Sequence, residues 1–172
     1  MSEVIIGLAG HIDHGKTSLI KSLTNEFSGS LKEDLKRGMT IDLGIAFLDK
    51  KITIIDVPGH EDFVKNMMSG VHGIDIGCLV IAADDGIMPQ TIEHFNIFRL
   101  LDISKLIIVI NKIDLVENDI LEIIKLEIFD LLKDTKFENC SILNVSTIDN
   151  SGIPELKKTF LGSINQFSKK YN

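Results

Sequence analysis

The residues whose spacing most clearly suggests chemistry run from Gly10 to Thr17, in the order Gly-His-Ile-Asp-His-Gly-Lys-Thr. Glycines at both ends of such a loop let the backbone curl until successive N–H groups point at one anion. Lys16 can then reach the β- and γ-phosphates of a nucleotide, while the Thr17 hydroxyl binds Mg²⁺. The alternative is a plain glycine turn with Lys16 as a solvated charge. The residues predicted to contact the nucleotide here are Gly10, His11, Ile12, Asp13, His14, Gly15, Lys16, Thr17 and Ser18.

A second cluster, Asp56-Val57-Pro58-Gly59-His60, follows the apolar run Ile52 to Ile55. Open α/β sheets bind ligands at the carboxyl ends of their strands, which is where this run would place Asp56. Asp56 can hold Mg²⁺ directly or through water, and the backbone N–H of Gly59 can donate to a γ-phosphate oxygen. Taken alone, the same residues are also typical of an ordinary turn.

The stretch 27–40 between these two motifs is polar, contains glycines and lacks periodicity, so we expect a loop. Thr40 is its hydroxyl nearest the next strand. Bound to Mg²⁺ when a γ-phosphate is present, Thr40 would order the whole loop. The charged residues within it are simply typical of a solvated surface. The predicted metal ligands are therefore Thr17, Thr40 and Asp56.

Base selection is predicted for Asn111-Lys112-Ile113-Asp114, at the end of another apolar run. The Asp114 carboxylate can accept two hydrogen bonds from N1–H and the exocyclic amine of guanine, whereas adenine presents the opposite polarity. Asn111 would join loops and touch N7, and the Lys112 stem would cover the base. The stretch Ser146-Thr147-Ile148 could supply a backbone N–H to guanine O6, although an ordinary loop is the alternative there.

Alternating apolar runs and helical patterns indicate how these residues are positioned. The pattern predicts an α/β fold with a mostly parallel six-stranded sheet, one antiparallel edge strand and helices on both faces. A turn at Asp49-Lys50-Lys51 makes the antiparallel pair, and an apolar stripe from Ile153 to Phe167 marks the last helix. We expect strands at 3–9, 41–49, 51–57, 76–83, 105–111 and 141–146, and helices at 16–26, 61–71, 89–101, 116–134 and 153–170.

Length and charge limit the other possibilities. The 172 residues are 44% hydrophobic with a net charge of −7, which fits one domain spanning 1–172. The apolar runs are strand-length and the amino terminus has no signal pattern, so we expect a cytoplasmic protein without a membrane partner. The negative charge argues against a broad nucleic-acid-binding surface.

The four motifs, in this order, resemble the GTPase domain of translation factors related to elongation factor Tu. Within that superfamily, Lys36 to Gly44 is most similar to the selenocysteine-specific elongation factor of bacteria. Residues 60–70 and 81–91 strengthen the superfamily match. The resemblance implies a P-loop NTPase fold of the Ras-like G-domain type that binds GTP and GDP with Mg²⁺ and hydrolyses GTP slowly without the ribosome.

The resemblance also implies roles that the residues alone do not establish. His60 would orient the attacking water, with Ile12 and Met39 as an apolar gate beside it and Lys16 assisting on the phosphates. The ribosome would be the activator, and Asp13 would help to hold a monovalent cation. Aminoacyl-tRNA, specifically selenocysteyl-tRNA, would bind through downstream β-barrel domains that this chain lacks. Thr147 stands where the family usually has alanine.

Three other interpretations remain open at this stage. The chain could be the G domain of a general elongation or initiation GTPase, or a nucleotide-gated binding module with negligible turnover by itself. A P-loop kinase or ATPase is disfavoured by Asn111, Lys112 and Asp114, which select guanine.

Overall fold

The computed structural model describes residues 4–24, 44–56 and 73–167, apart from the side chains of residues 165 and 166. Within these ranges the apolar runs form strands and the periodic segments form helices. The strands are β1 (Val4–Gly10), β2 (Gly44–Asp49), β3 (Ile52–Asp56), β4 (Ile76–Ala82), β5 (Lys105–Asn111) and β6 (Ser141–Asn144). The helices are α1 (Lys16–Thr24), α2 (Pro89–Leu100), α3 (Asn118–Leu132) and α4 (Ile153–Phe167).

The strands form one sheet in the order β2-β3-β1-β4-β5-β6. Every neighbouring pair is parallel except β2 with β3, which is antiparallel and joined by the turn at residues 50–51. The prediction of a mostly parallel sheet with an antiparallel edge strand is confirmed. Strand β4 is buried along its whole length, as expected for a central strand covered on both faces.

Helices cover both faces of the sheet, because alternate residues of each central strand point to opposite sides. In β5, Ile107 and Val109 pack with α1 and α4, while Ile108 and Ile110 pack with α2 and α3. The predicted apolar stripe of α4 lies in the first of these cores. Its members are Ile153, Leu156, Phe160, Ile164 and Phe167.

Several element ends differ from the predictions for local reasons. Residues 113–115 form a single 3₁₀ turn and Val116 is extended, so α3 begins at Asn118. It ends at Leu132 because Lys133 is extended and Asp134 has a φ of 57°. Strand β6 stops at Asn144, since the Ser146 N–H turns back to the Ser151 carbonyl.

The predicted helix at 61–71 lies outside the described residues, as do positions 25–26, 41–43 and 168–170. The described helices include none that is both long and apolar enough to cross a lipid bilayer.

Candidate nucleotide-binding site

The phosphate loop leaves the carboxyl end of β1 and enters α1 at Lys16. Its glycines occupy positions that other residues could not. Gly10 has a φ of 149°, and a Cβ there would lie 2.3 Å from the Val80 carbonyl oxygen; Gly15 has a φ of 86°, and a Cβ would lie 2.3 Å from Asn111 Nδ2. Positive φ and close approach both require glycine. The loop therefore fits tightly against the ends of β4 and β5.

Lys16 folds back over the loop that precedes it. Its Nζ donates to the carbonyl oxygens of Gly10 at 3.0 Å and His11 at 2.9 Å. Burial lowers the pKa of Lys16, and the carboxylates of Asp56 and Asp13 oppose part of that change. The ammonium group is thus held at the start of α1, where the helix dipole also favours an anion.

Asp56 ends β3, one strand away from the loop, in register with Leu8 of β1. Burial raises the pKa of Asp56 to about 6, although Lys16 acts to lower it. Its Oδ1 is buried and makes no hydrogen bond with the described residues. A buried carboxylate oxygen without a partner suits a hard cation such as Mg²⁺.

Thr17, the second predicted metal ligand, lines the cleft described below. Its hydroxyl is the kind of oxygen ligand that Mg²⁺ accepts. Across residues 4–24, 44–56 and 73–167, no group of three or more His, Cys, Asp or Glu side chains forms a metal cage. The residues present therefore fit an ion held by few protein oxygens together with phosphate, which is the usual arrangement for Mg²⁺.

The base motif begins at the end of β5 and is tied to the phosphate loop. Asn111 is fully buried, and its Nδ2 donates to the His14 carbonyl oxygen at 3.0 Å. Lys112 has a φ of 60° and places its Nζ 3.5 Å from Asp84 Oδ2. Asp114 lies in the 3₁₀ turn and is exposed to solvent.

In the loop after β6, one backbone donor makes no hydrogen bond with the described residues. The Ser146 N–H donates to the Ser151 carbonyl oxygen at 3.0 Å, and the Ile148 N–H donates to Ser146 Oγ at 3.1 Å. Among these three residues, only the Thr147 N–H makes no hydrogen bond within the described segments. Ile148 itself is 80% exposed.

A cleft of about 480 Å³ joins the phosphate loop to the base motif. This volume lies within the range of small-molecule sites. It brings together residues from three separate predicted motifs. The lining consists of Asp13, Gly15, Lys16, Thr17, Ser18, Asn111, Lys112, Asp114, Leu115, Thr147 and Ile148.

The other predicted site residues fall into two groups. Some are described but do not line the cleft, namely Gly10, His11, Ile12, His14, Asp56 and Ser146. The side chain of Ile12 is 46% exposed, so it is available as a wall beside the loop. Met39, Thr40, Gly59 and His60 lie outside the described residues.

Three residues at the site were not predicted from the sequence. Leu115 lines the cleft, Asp84 pairs with Lys112, and Gln90 Oε1 accepts the Ile12 N–H at 3.3 Å. Asp84 and Gln90 follow β4 at the carboxyl edge of the sheet. The rule that ligands bind at that edge could have indicated both of them.

The chain combines a mostly parallel sheet covered on both faces with a glycine-bounded phosphate loop after β1, and Asn111, Lys112 and Asp114 follow β5. Together these features are typical of a P-loop G domain. The family model for the elongation factor Tu GTP binding domain matches residues 1–166. The chain therefore belongs to the elongation factor Tu GTP-binding domain family. Membership implies binding of a guanine nucleotide, usually with Mg²⁺, and hydrolysis of GTP.

The chain is also similar to individual factors. It is 52% identical over 158 residues to the selenocysteine-specific elongation factor of Desulfomicrobium baculatum, covering 90% of this chain and 25% of that protein. A crystal structure of a bacterial selenocysteine-specific elongation factor, EF-Sec, matches with a TM-score of 0.77 and 40% identity, over 95% of this chain and 29% of that one.

A second crystal structure is translation elongation factor SelB from Methanococcus maripaludis in complex with the GTP analogue GPPNHP. It matches with a TM-score of 0.78 and 31% identity, over 96% of this chain and 34% of that one. The chain thus spans about a quarter to a third of the length of these relatives. The prediction of a translation-factor G domain most like the selenocysteine-specific branch is confirmed.

Proposed function

We propose that this chain is the GTP-dependent switch of a factor that delivers selenocysteyl-tRNA to the ribosome in the cytoplasm. The observation that supports this most is that Lys16, Thr17 and Asp114 all line the same cleft. One nucleotide lying along that cleft would place its phosphates on the loop and its base on Asp114. The 52% identity to a selenocysteine-specific factor supports that branch.

In the proposed complex, the loop N–H groups and the start of α1 bind the phosphates. The Lys16 ammonium leaves the carbonyls of Gly10 and His11 and turns to the β- and γ-phosphate oxygens. Thr17, Asp56 and Thr40 would hold Mg²⁺, which would supply positive charge to offset the negative charge of the phosphates.

Base selection rests on three groups in the same cleft. Asp114 accepts from N1–H and the exocyclic amine of guanine. The Thr147 N–H, which makes no hydrogen bond with the rest of the described chain, donates to guanine O6. The Lys112 stem covers the base while Asp84 holds its ammonium group 3.5 Å away.

Hydrolysis in this proposal depends on His60 to orient water, with Ile12 and Met39 as an apolar gate and the ribosome as activator. The chain has only two arginines, Arg37 and Arg99. The Arg99 guanidinium stacks on the Phe95 ring at 5.9 Å, in helix α2. An arginine near the phosphates can stabilise the charge that develops during hydrolysis, but Arg99 is held in this contact instead. We therefore expect slow turnover until a partner completes the site.

The nucleotide proposal is tested by titrating the domain with GTP, GDP and ATP in the presence of Mg²⁺. We expect GTP and GDP to bind at least about a thousandfold more tightly than ATP, because ATP leaves Asp114 and the Thr147 N–H without the hydrogen bonds that guanine would make. Equal or tighter binding of ATP would remove the proposal.

The catalytic part is tested separately by single-turnover GTP hydrolysis with and without ribosomes. We expect slow turnover alone, stimulation by ribosomes, and loss of that stimulation in His60→Ala. If stimulated turnover is unchanged in His60→Ala, the role of His60 is wrong. If no condition gives turnover, the chain is a nucleotide-gated binding module, the second candidate that the Arg99 contact favours.

A monovalent cation beside Asp13 is a further part of the proposal. Asp13 lines the cleft and has a φ of 63°, which is uncommon for a residue other than glycine. Its carboxylate therefore stands at the loop in a fixed backbone geometry. Hydrolysis measured in K⁺ and in a bulky organic cation should differ in the wild type, and this difference should disappear in Asp13→Asn.

A further inference from the structure

His14 is fully buried, although it is a polar residue within a loop. Its ring lies against the end of β4. Nδ1 is 3.2 Å from the Ala82 nitrogen and 3.4 Å from the Val80 carbonyl oxygen, and Nε2 is 3.5 Å from Asp85 Oδ2. The phosphate loop therefore reaches across to the neighbouring strand through one side chain.

The contacts of His14 determine which ring nitrogen carries the proton. A backbone N–H can only donate, so Nδ1 must accept from Ala82 and cannot donate to Val80 at the same time. The hydrogen then sits on Nε2, which lies 3.5 Å from Asp85 Oδ2 and makes no hydrogen bond with the described residues. Burial lowers the pKa of His14, which keeps the ring neutral in this arrangement.

The backbone of the same residue faces the base motif. The His14 carbonyl oxygen accepts from Asn111 Nδ2 at 3.0 Å, and the ring packs edge-on against His11 with centroids 5.1 Å apart. Its side chain is thus bound to β4 and its main chain to β5. No other residue of the loop bonds both of these strands among the hydrogen bonds that the described segments show.

We propose that His14 is a positioning residue that fastens the phosphate loop to Ala82 through Nδ1 and holds the loop where Asn111 can bind it. This inference rests on the proposed nucleotide function and adds a role for a side chain that does not line the cleft. When the loop is held in place, the N–H groups that bind phosphate keep pointing at the same position. The phosphate-binding and base-binding parts of the cleft then keep a constant separation. Releasing the ring lets the loop move and shortens the residence of the nucleotide.

A plain buried histidine would account for the same burial, but it predicts different behaviour. If His14 only fills space, its replacement lowers the free energy of unfolding and leaves nucleotide dissociation unchanged once the protein is folded. If it positions the loop, dissociation accelerates by more than the loss of stability explains. The two readings are separated by measuring both quantities on the same variants.

The first test measures the tautomer of His14 in the wild-type domain. A long-range ¹H–¹⁵N spectrum of the nucleotide-free domain with labelled histidine, assigned by the signal lost in His14→Asn, reports the tautomer. We expect hydrogen on Nε2 and none on Nδ1. A hydrogen on Nδ1 would overturn the inference, because Ala82 would then have no acceptor.

The second test compares three substitutions. Asn carries its amide on Cγ and can place an oxygen near the position of Nδ1, Gln reaches toward the position of Nε2, and Leu offers neither. We expect the GDP dissociation rate to stay within about threefold of wild type in His14→Asn. In His14→Leu and His14→Gln it should rise about tenfold or more, because the buried Ala82 N–H loses its acceptor.

Thr135→Val is the matched control. Thr135 Oγ1, beyond the end of α3, accepts the Phe137 N–H at 3.2 Å and donates to the Leu132 carbonyl oxygen at 2.6 Å. Val therefore removes an acceptor of a backbone N–H, together with that donated bond, at a residue that does not line the cleft. We expect reduced thermal stability and an unchanged dissociation rate. Equal rates in His14→Leu and wild type would overturn the inference, as would rescue by Gln but not by Asn.

Failure of this inference can be told apart from failure of the proposed function. If wild type shows no preference for guanine nucleotides, the proposed function fails, while the tautomer measurement still stands by itself. If wild type binds GDP normally and His14→Leu does not fold, the Asn and Gln variants and the spectrum decide the role of His14.

Discussion

The two halves of the cleft are built in opposite ways. On the phosphate side, Gly10 and Gly15 approach other atoms too closely for any side chain, His14 is fully buried and Asp56 is partly buried. On the base side, Asn111 is fully buried, but Asp114 is exposed and Ile148 is 80% exposed. Rigid placement matters for phosphate because many N–H groups must converge on it, whereas a base can be selected by one well-placed carboxylate. Substitutions should therefore damage the fold on one side and change only selectivity on the other.

Gly15→Ala should have the largest effect and tests the tight half directly. Its Cβ would push Asn111 Nδ2 out of its bond to His14 while the backbone holds an unfavourable positive φ. We expect GDP affinity to fall on the order of a thousandfold, together with lower stability. Isothermal titration and urea unfolding measure the two effects.

Gly162→Ala is the control, because a Cβ there meets nothing within 4 Å on helix α4. It should raise stability by roughly 0.5–1 kcal/mol through helix propensity and leave GDP binding unchanged. If both alanine variants bind GDP equally well, the phosphate loop can accommodate a Cβ at position 15 and the steric argument is wrong.

Asp114→Asn tests the open half. The amide loses one of the two hydrogen bonds to guanine, and its NH₂ can donate to the 2-keto group of xanthine instead. We expect GTP affinity to fall about a hundredfold with a gain for xanthosine triphosphate, and no change in thermal unfolding. A stability loss like that of Gly15→Ala would mean that the base side is as tightly built as the phosphate side.

Asp56→Asn should show the cost of the buried carboxylate without nucleotide or metal. Burial raises the pKa of Asp56 to about 6 from 3.8, so the folded chain keeps a proton that the unfolded chain has lost between these values. Its stabilising contribution is therefore full below about pH 3.8 and is lost as the pH rises through about 6. At about 1.36 kcal/mol per pKa unit, the free energy of unfolding of the variant near neutral pH should exceed that of wild type by up to about 3 kcal/mol.

The difference should vanish below about pH 4, where Asp56 is protonated in both states. Asp130→Asn, on the exposed side of α3, removes the same charge and should leave stability nearly unchanged at both pH values. Adding Mg²⁺ and GDP should reverse the order, since only wild type can then use the carboxylate. A variant that is no more stable than wild type near neutral pH would contradict the burial argument.

Thr147→Ala should have the smallest effect, and it tests whether the side chain of this residue contributes to guanine binding. The proposed contact comes from the Thr147 N–H, so losing the side chain should change guanine affinity less than about twofold. A larger loss, measured by the same titration, would mean that the hydroxyl or methyl group contributes to the open half.

The sequence predicted those parts of the molecule that follow from local patterns. Apolar runs with turn residues between them predict the strands and their antiparallel pair, and the period from Ile153 to Phe167 predicts α4. The glycine spacing predicts the loop, because positive φ is a local requirement. The contact from Gln90 to Ile12 and the pairing of Asp84 with Lys112 join residues 78 and 28 positions apart. No local pattern encodes such contacts, because they arise from the strand order.

The burial of His14 was equally invisible in the sequence. A histidine between Asp13 and Gly15 gives no periodic signal, and its surroundings come from β4 and β5. His14 belongs to a loop by its sequence position, but its side chain is as buried as those of the core. Sequence reasoning places such a residue at the site but cannot say whether it faces the ligand or the sheet.

The hydrogen bond from Asn111 to His14 spans 97 positions, and the contact of His14 with Ala82 spans 68. During synthesis the amino-terminal loop emerges first, and strands β4 and β5, which shape it, emerge many residues later. Closing contacts over such separations is slow compared with helix formation. A nascent chain that ends before Asn111 therefore lacks the bond that joins this residue to the loop, and we expect nucleotide capture to report that strand β5 has emerged and docked.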